Sequence, residues 1–202
     1  MTQPSSNPVA ASPAAAAGPR PVPPVVKLLV AIGLTFGVYQ LVMFGVRQFV
    51  DHKIESAVGG ELIDFDVVDL AGKPWRSKEL RGRWIVLHFF RSRCHSCLAE
   101  RGAVKEFEGK IDPSKVTLLG VLLDRVQGYP EEMTKKTLEI VDYHHPILVA
   151  NAAFVDAFHG AGWAHVTPVT YFIDPSGKIA HSLRGAQTLD SLLAPLPGDA
   201  RR

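Results

Sequence analysis

Trp84-Ile85-Val86-Leu87-His88-Phe89-Phe90-Arg91-Ser92-Arg93-Cys94-His95-Ser96-Cys97 decides how this chain folds. The first seven residues form an apolar run that predicts a buried strand. Leu98 to Phe107 predicts a helix. Between them sit the only two cysteines of the chain, two residues apart. A strand that hands over to a C-x-x-C helix is a redox arrangement. One thiolate attacks a foreign disulfide, and the second cysteine must lie near enough to resolve the mixed disulfide. The helix start favours negative charge on the first sulfur. Cys94 is therefore expected to be the exposed, low-pKa nucleophile and Cys97 the shielded resolver. A zinc site would need two more ligands, and no second C-x-x-C exists. A purely structural disulfide across so short a loop would stabilise little.

The chain has 202 residues, 47% of them apolar, and a net charge of +2. That suits one domain plus an appendage. With no long basic run, nothing marks a nucleic-acid partner. Residues 1–24 are rich in Pro, Ala and Ser, hold Arg20 as their only charged residue, and are expected to be disordered. Leu28 to Val46 then carries no charge over nineteen residues, about 28 Å of helix and close to a bilayer core. Residues 25–47 are read as one retained transmembrane anchor. A cleaved signal peptide would have a shorter apolar stretch and a small-x-small site. Arg20 and Lys27 precede the span while Arg47 and Lys53 follow it, so charge alone does not orient it. The redox motif suits an oxidising compartment, which puts the catalytic domain outside the cytoplasm of an inner-membrane, single-pass protein.

Residues 48–60 read as a tether, 61–194 as the folded domain and 195–202 as a loose tail. Within the domain, Leu62–Val68, Val116–Leu123, Pro146–Val149, Val169–Ile173 and Lys178–Ser182 are further expected strands. The last two flank Asp174-Pro175-Ser176-Gly177, a hairpin signal. Helices are expected at Glu131–Tyr143, Ala152–His159 and Thr188–Leu193. Strands and helices alternate early and a hairpin comes late, which predicts an α/β domain: a mixed sheet with helices on both faces.

Taken together these residues resemble the thioredoxin superfamily, in its membrane-tethered TlpA-like, or redoxin, branch. The resemblance spans about Leu62 to Leu193. Asp69-Leu70-Ala71-Gly72-Lys73 with Leu80-Arg81-Gly82-Arg83 is similar to the opening "D-x-x-G-K … L-x-G-K" of that branch. Val166-Thr167-Pro168-Val169-Thr170-Tyr171-Phe172-Ile173-Asp174 is similar to its "V-P-T-T-F-x-I-D" segment. Glu100 matches an acid that many members carry after the redox pair. The resemblance implies a thioredoxin-like fold and makes Pro168 the cis-proline beside the cysteines. A cis bond there would turn the Thr167 backbone outward to meet an extended substrate.

The sequence departs from that family's usual pattern at the redox pair. Arg93 stands where the family usually has Trp, and Ser96 where many members have Pro. Arg91, Arg93 and His95 bring positive charge toward Cys94, which favours the thiolate and so an oxidising couple. The family resemblance implies the other direction, toward reductases serving cytochrome c assembly. His88 lies six residues before Cys94, where thioredoxins often carry a buried acid that exchanges protons with the second cysteine. Its ordinary pKa of about 6.5 suits that task; a core histidine with one hydrogen bond is the other reading. Glu100 shares a helix face with Cys97, but surface glutamates are common.

The expected function is thiol–disulfide exchange with protein substrates, with Cys94 and Cys97 as the redox disulfide. Pro168, Glu100 and His88 would assist catalysis, and Thr167, His95 and Ser96 would meet the substrate. No cofactor or metal is required, and the electron donor would be a membrane or extracytoplasmic partner. An alternative is a copper metallochaperone that uses the cysteines with His144, His145, His159 or His165. A peroxidase would need a Pro-x-x-x-Thr-x-x-Cys loop, which Phe90 to Cys94 does not supply.

Overall fold

The computed structural model describes residues 23–202. The stretch expected to be disordered, 1–24, lies almost wholly outside the described residues. Helix α1 spans Pro24–Glu55. It crosses the division between two compact units, the second of which begins at Arg47. In the first unit its side chains are exposed and mostly apolar. An 18-residue window of α1 has a mean hydropathy of 2.0 with none of it buried, so α1 is long and apolar enough to cross a membrane.

The second unit holds a five-stranded mixed sheet. Its strands are β3 (Trp84–Phe90), β4 (Val116–Leu122), β5 (Ile147–Val149), β6 (Val169–Ile173) and β7 (Ile179–Arg184), in the order β5-β4-β3-β6-β7. β4 runs parallel to β3 and β5, while β6 runs antiparallel to β3 and β7. A small antiparallel ribbon, β1 (Asp66–Val68) with β2 (Pro74–Arg76), lies outside it. The continuous apolar run of β3 follows from its central place, because a central strand is covered on both faces.

Alternation along the strands feeds two cores. Ile85, Leu87 and Phe89 point to one side and pack with Leu119, Val121, Tyr171 and the short helix α4 (Ala152–Asp156) through Phe154 and Val155. The Phe89 ring, fully buried, meets those of Phe154, Phe158 and Tyr171. Burial of such a side chain contributes about 1.5–3 kcal/mol. On the other side, Val86, Leu118 and Phe172 pack against Val104 and Phe107 of α2 (His95–Lys110) and Leu192 of α5 (Leu189–Leu193). Near the redox pair, Phe90, Leu122 and Ile147 meet Val141 of α3 (Glu131–Val141).

Three expectations need correction. The tether is not one along its first half: α1 continues through Glu55, and Val50 and Ile54 bury into the first core. Phe49 meets Trp163 at 5.6 Å, and Asp51 pairs with Arg184. The tail is not loose: Leu196 and Ala200 bury beside α2, and Arg201 bridges to Ile111. The first expected strand is shorter than Leu62–Val68. Glu61 and Leu62 instead bond along the β6–β7 turn, and Phe65 N–H donates to Ser77 Oγ at 3.1 Å.

Candidate active site

The site is built where β3 ends and α2 begins. The turn Arg91–Arg93 between them puts Arg93 at φ 54, a left-handed conformation uncommon for a residue with a side chain. A buried carboxylate holds it there. Asp124, just after β4, accepts from Ser92 N–H at 2.7 Å, from Ser92 Oγ at 2.6 Å and from Thr134 Oγ1 at 2.6 Å. Thr137 of α3 donates to Ser92 Oγ at 2.7 Å. The sequence reading missed these residues. They come together from separations of 10 to 45 positions, and no local pattern links them.

Cys94 and Cys97 form a disulfide, with Cα atoms 5.2 Å apart. Cys94 is the N-cap of α2, and its Sγ accepts from the Cys97 backbone N–H at 3.1 Å. This is one of the N–H groups a helix start leaves unpaired. Thr167 Oγ1 donates to the same sulfur at 3.3 Å. The Thr167–Pro168 bond is cis. The Thr167 carbonyl lies 3.6 Å from Cys94 Sγ and accepts from Ser96 Oγ at 3.3 Å. Thr167 thus covers the disulfide. Cys94 is 4% exposed and Cys97 1%, so the exposed nucleophile expected from sequence is buried in the oxidised form.

Of the three cations expected around Cys94, Arg91 is committed elsewhere. Its guanidinium donates to Tyr129 OH at 2.7 Å, Ser92 O at 3.0 Å and His165 O at 3.4 Å. Arg93 and His95, by contrast, are exposed on the two sides of Cys94.

One helical turn past Cys97 on α2, Glu100 meets His88. His88 Nε2 lies 3.3 Å from Glu100 Oε1, and both side chains are buried. His88 Nδ1 is 3.0 Å from Thr170 Oγ1, and Glu100 Oε2 accepts from Gln187 N–H at 3.0 Å. Burial pushes His88 down to about 3, with the nearby His145 adding to it. Burial pushes Glu100 up to about 8, partly opposed by the Gln187 N–H. At neutral pH the pair is a neutral imidazole beside a protonated carboxyl, not an ion pair. Separated charges have too little solvation there to persist.

The histidines of the copper alternative do not converge. His144 is exposed and His145 buried, both beside Glu108. His159 lies in the core behind Phe89, 3.3 Å from Tyr171 OH. No group of three or more His, Cys, Asp or Glu side chains able to hold a metal occurs among the described residues. The donor arrangement therefore does not favour a metal carrier.

Residues 58–182 match the AhpC/TSA family. The chain belongs to that family. Among its curated relatives is the thiol-disulfide oxidoreductase ResA of Geobacillus thermodenitrificans, 26% identical over 168 residues, covering 83% of this chain and 88% of the relative. A ResA of Bacillus cereus is 25% identical over 169 residues, covering 83% and 90%. StoA from Bacillus subtilis superposes with a TM-score of 0.52 at 18% identity, over 69% of this chain and 98% of that one. The exposed lipoprotein thioredoxin Etrx1 from Streptococcus pneumoniae gives 0.54 at 24% identity, over 65% and 96%. These structures share the thioredoxin-like fold. This AhpC/TSA member is a thiol–disulfide oxidoreductase of the thioredoxin superfamily, in its TlpA-like branch.

Proposed function

We propose that the chain is a membrane-anchored, extracytoplasmic oxidoreductase that exchanges disulfides with protein substrates through Cys94 and Cys97. The observation that carries the reading is the disulfide itself, capped at the start of α2 and covered by Thr167.

In the reducing direction the Cys94 thiolate attacks a substrate disulfide. One substrate sulfur leaves as a thiolate, and a Cys94–substrate disulfide forms. Cys97 then attacks Cys94, the Cys94–Cys97 bond forms, and the second substrate thiolate leaves. Two electrons pass from the protein dithiol to the substrate. An extracytoplasmic donor restores the dithiol, and reversal of the steps oxidises a substrate dithiol.

Two donors to Cys94 Sγ stabilise its thiolate. Glu100, one helical turn past Cys97, and its partner His88 tune the ionisation of the Cys97 thiol. Pro168 and Thr167 form the wall against which a substrate strand lies, with His95 and Ser96 at its edge. Residues 25–47 supply the anchor. Assembly of c-type cytochromes and general disulfide homeostasis are the settings that suit a tethered enzyme of this kind.

The test is covalent capture. A Cys97→Ser chain should accumulate disulfide adducts with extracytoplasmic proteins, and Cys94→Ser should accumulate none. Adducts of equal abundance in both variants would overturn the assignment.

A further inference from the structure

The wall over the redox pair has little support of its own. Thr167 Oγ1 donates to Cys94 Sγ at 3.3 Å. Yet Thr167 belongs to an irregular segment, residues 157–168, that joins α4 to β6 with a short 3-10 turn at Ala161–Trp163. Backbone bonds from Trp163 N–H to Gly160 O at 2.9 Å and from Val166 N–H to Trp163 O at 2.8 Å only fold the segment on itself. Such a segment is held in place by what its side chains pack against.

What it packs against is the end of α1. Residues 47–55 of that helix belong to the same compact unit as the redox pair. The Phe49 ring meets Trp163 at 5.6 Å. Val50 and Ile54, one helical turn apart on one face, are 6% and 3% exposed. With His159, Trp163 and Val166 they enclose a gap too small for a water molecule. Val166 directly precedes Thr167.

A second contact reaches the other side of the wall. Asp51 pairs with Arg184 Nε at 2.6 Å. Arg184 is the ladder partner of Val169, and Gly185 N–H donates to Pro168 O at 2.9 Å. Phe49 and Asp51 thus touch the chain ahead of Thr167 and the strand beside Pro168. Phe49 is 57% exposed, and the Asp51 and Arg184 side chains are 34% and 31% exposed, so neither contact closes the core.

We propose that Phe49, Val50, Asp51 and Ile54 are positioning residues for the redox site: the end of α1 holds Thr167 within hydrogen-bond distance of Cys94 Sγ. The proposal rests on the assignment of Cys94 as the nucleophile. Without this grip the segment relaxes and Thr167 Oγ1 leaves the sulfur, whose backbone donor is then the Cys97 N–H alone. A hydrogen bond to the charged form of a group favours that form, so its loss raises the pKa of the thiol.

The other groups around Cys94 are not carried by α1. Ser96 Oγ, 3.5 Å from Cys94 Sγ, belongs to α2, and Arg93 and His95 flank the cysteine from the turn and from α2. His165 is exposed on the segment itself. Arg91 reaches the segment at His165 O, but its bonds to Tyr129 OH and Ser92 O hold it independently.

The experiment measures the rate of Cys94 alkylation against pH in the reduced full chain in detergent micelles, read by peptide mass spectrometry. Phe49→Ala and Asp51→Asn should each raise the midpoint by at least about half a pH unit, and so should Thr167→Val. Phe49→Tyr, which keeps the ring, should titrate with the unsubstituted chain. Combined with Thr167→Val, Phe49→Ala should add nothing further, because both remove the same bond. An unchanged midpoint in Phe49→Ala, Asp51→Asn or Thr167→Val, or a Phe49→Ala shift that adds in full to that of Thr167→Val, would confine the end of α1 to packing and overturn the proposal. If Phe49→Ala does not fold, Asp51→Asn decides, since it alters a partly exposed ion pair and keeps the shape of the side chain. Alkylation of Cys97 ahead of Cys94 in the unsubstituted chain would remove the nucleophile assignment itself, a distinct failure.

Discussion

His88 and Glu100 meet at 3.3 Å, both buried, and with opposite displacements of pKa. Two groups that could form a salt bridge are instead each kept neutral by burial. The pair therefore carries no net charge at neutral pH, and charging either member costs buried solvation.

This pair sets how stability depends on pH. Glu100 titrates at about 8 folded against 4.5 unfolded, so its contribution is fully present below pH 4.5 and lost as pH rises through 8. His88 titrates at about 3 folded against 6.5 unfolded, and His159 at about 4. Their contributions are present above 6.5 and lost as pH falls. Between pH 6.5 and 8 only the Glu100 slope operates among the three, at up to about 1.4 kcal/mol per pH unit. Chemical unfolding of the solubilised chain should show stability declining over that window. Glu100→Gln should flatten this alkaline limb and leave the acid limb in place. An unchanged alkaline slope in Glu100→Gln would show that Glu100 is ionised in the native protein.

Asp124 should matter as much to the site as to the fold. It accepts three hydrogen bonds while 2% exposed. Asp124→Ala removes them and leaves Ser92 N–H buried and unpaired, at a cost of about 3 kcal/mol. Release of the Arg93 turn should also slow attack by Cys94. Unfolding and thiol-reaction rates measured together check both effects. Loss of stability with an unaltered Cys94 rate would confine Asp124 to packing.

Local signals explain what was legible in the sequence. The β3 run, the Cys94–Cys97 spacing and the Asp174–Gly177 hairpin each carry their meaning within a few residues, and each stands in the structure as read. Val50 and Ile54 carry no such meaning, because His159, Trp163 and Val166, beside which they lie, come more than a hundred positions later. A tether was the natural reading until those partners were in place. Leu196 and Ala200 are the same case at the other end. His88 and Glu100 stood out singly, one by its place before Cys94 and one by its place after Cys97. That they touch depends on how α2 crosses β3. Asp124, Tyr143 and Gln187 had no distinguishing pattern and are recognised only by the groups they meet.

The anchor makes a separate prediction. The exposed apolar surface of α1 between Leu28 and Val46 should sit in lipid with the oxidoreductase domain outside the cytoplasm. Alkaline phosphatase fused after Arg202 should be active in intact cells, and a cytoplasmic reporter at the same point silent. The reverse pattern would place the redox pair inside.

The central claim is that Cys94 is the nucleophile and Cys97 the resolver. Alkylation of the reduced full chain at pH 6, followed by peptide mass spectrometry, tests it most directly. The two donors to Cys94 Sγ and the start of α2 should keep Cys94 largely as thiolate at that pH. Cys97, only 1% exposed, should stay a thiol. The account predicts nearly complete labelling of Cys94 before Cys97 reacts. Labelling of Cys97 first, or of both at one rate, would contradict it.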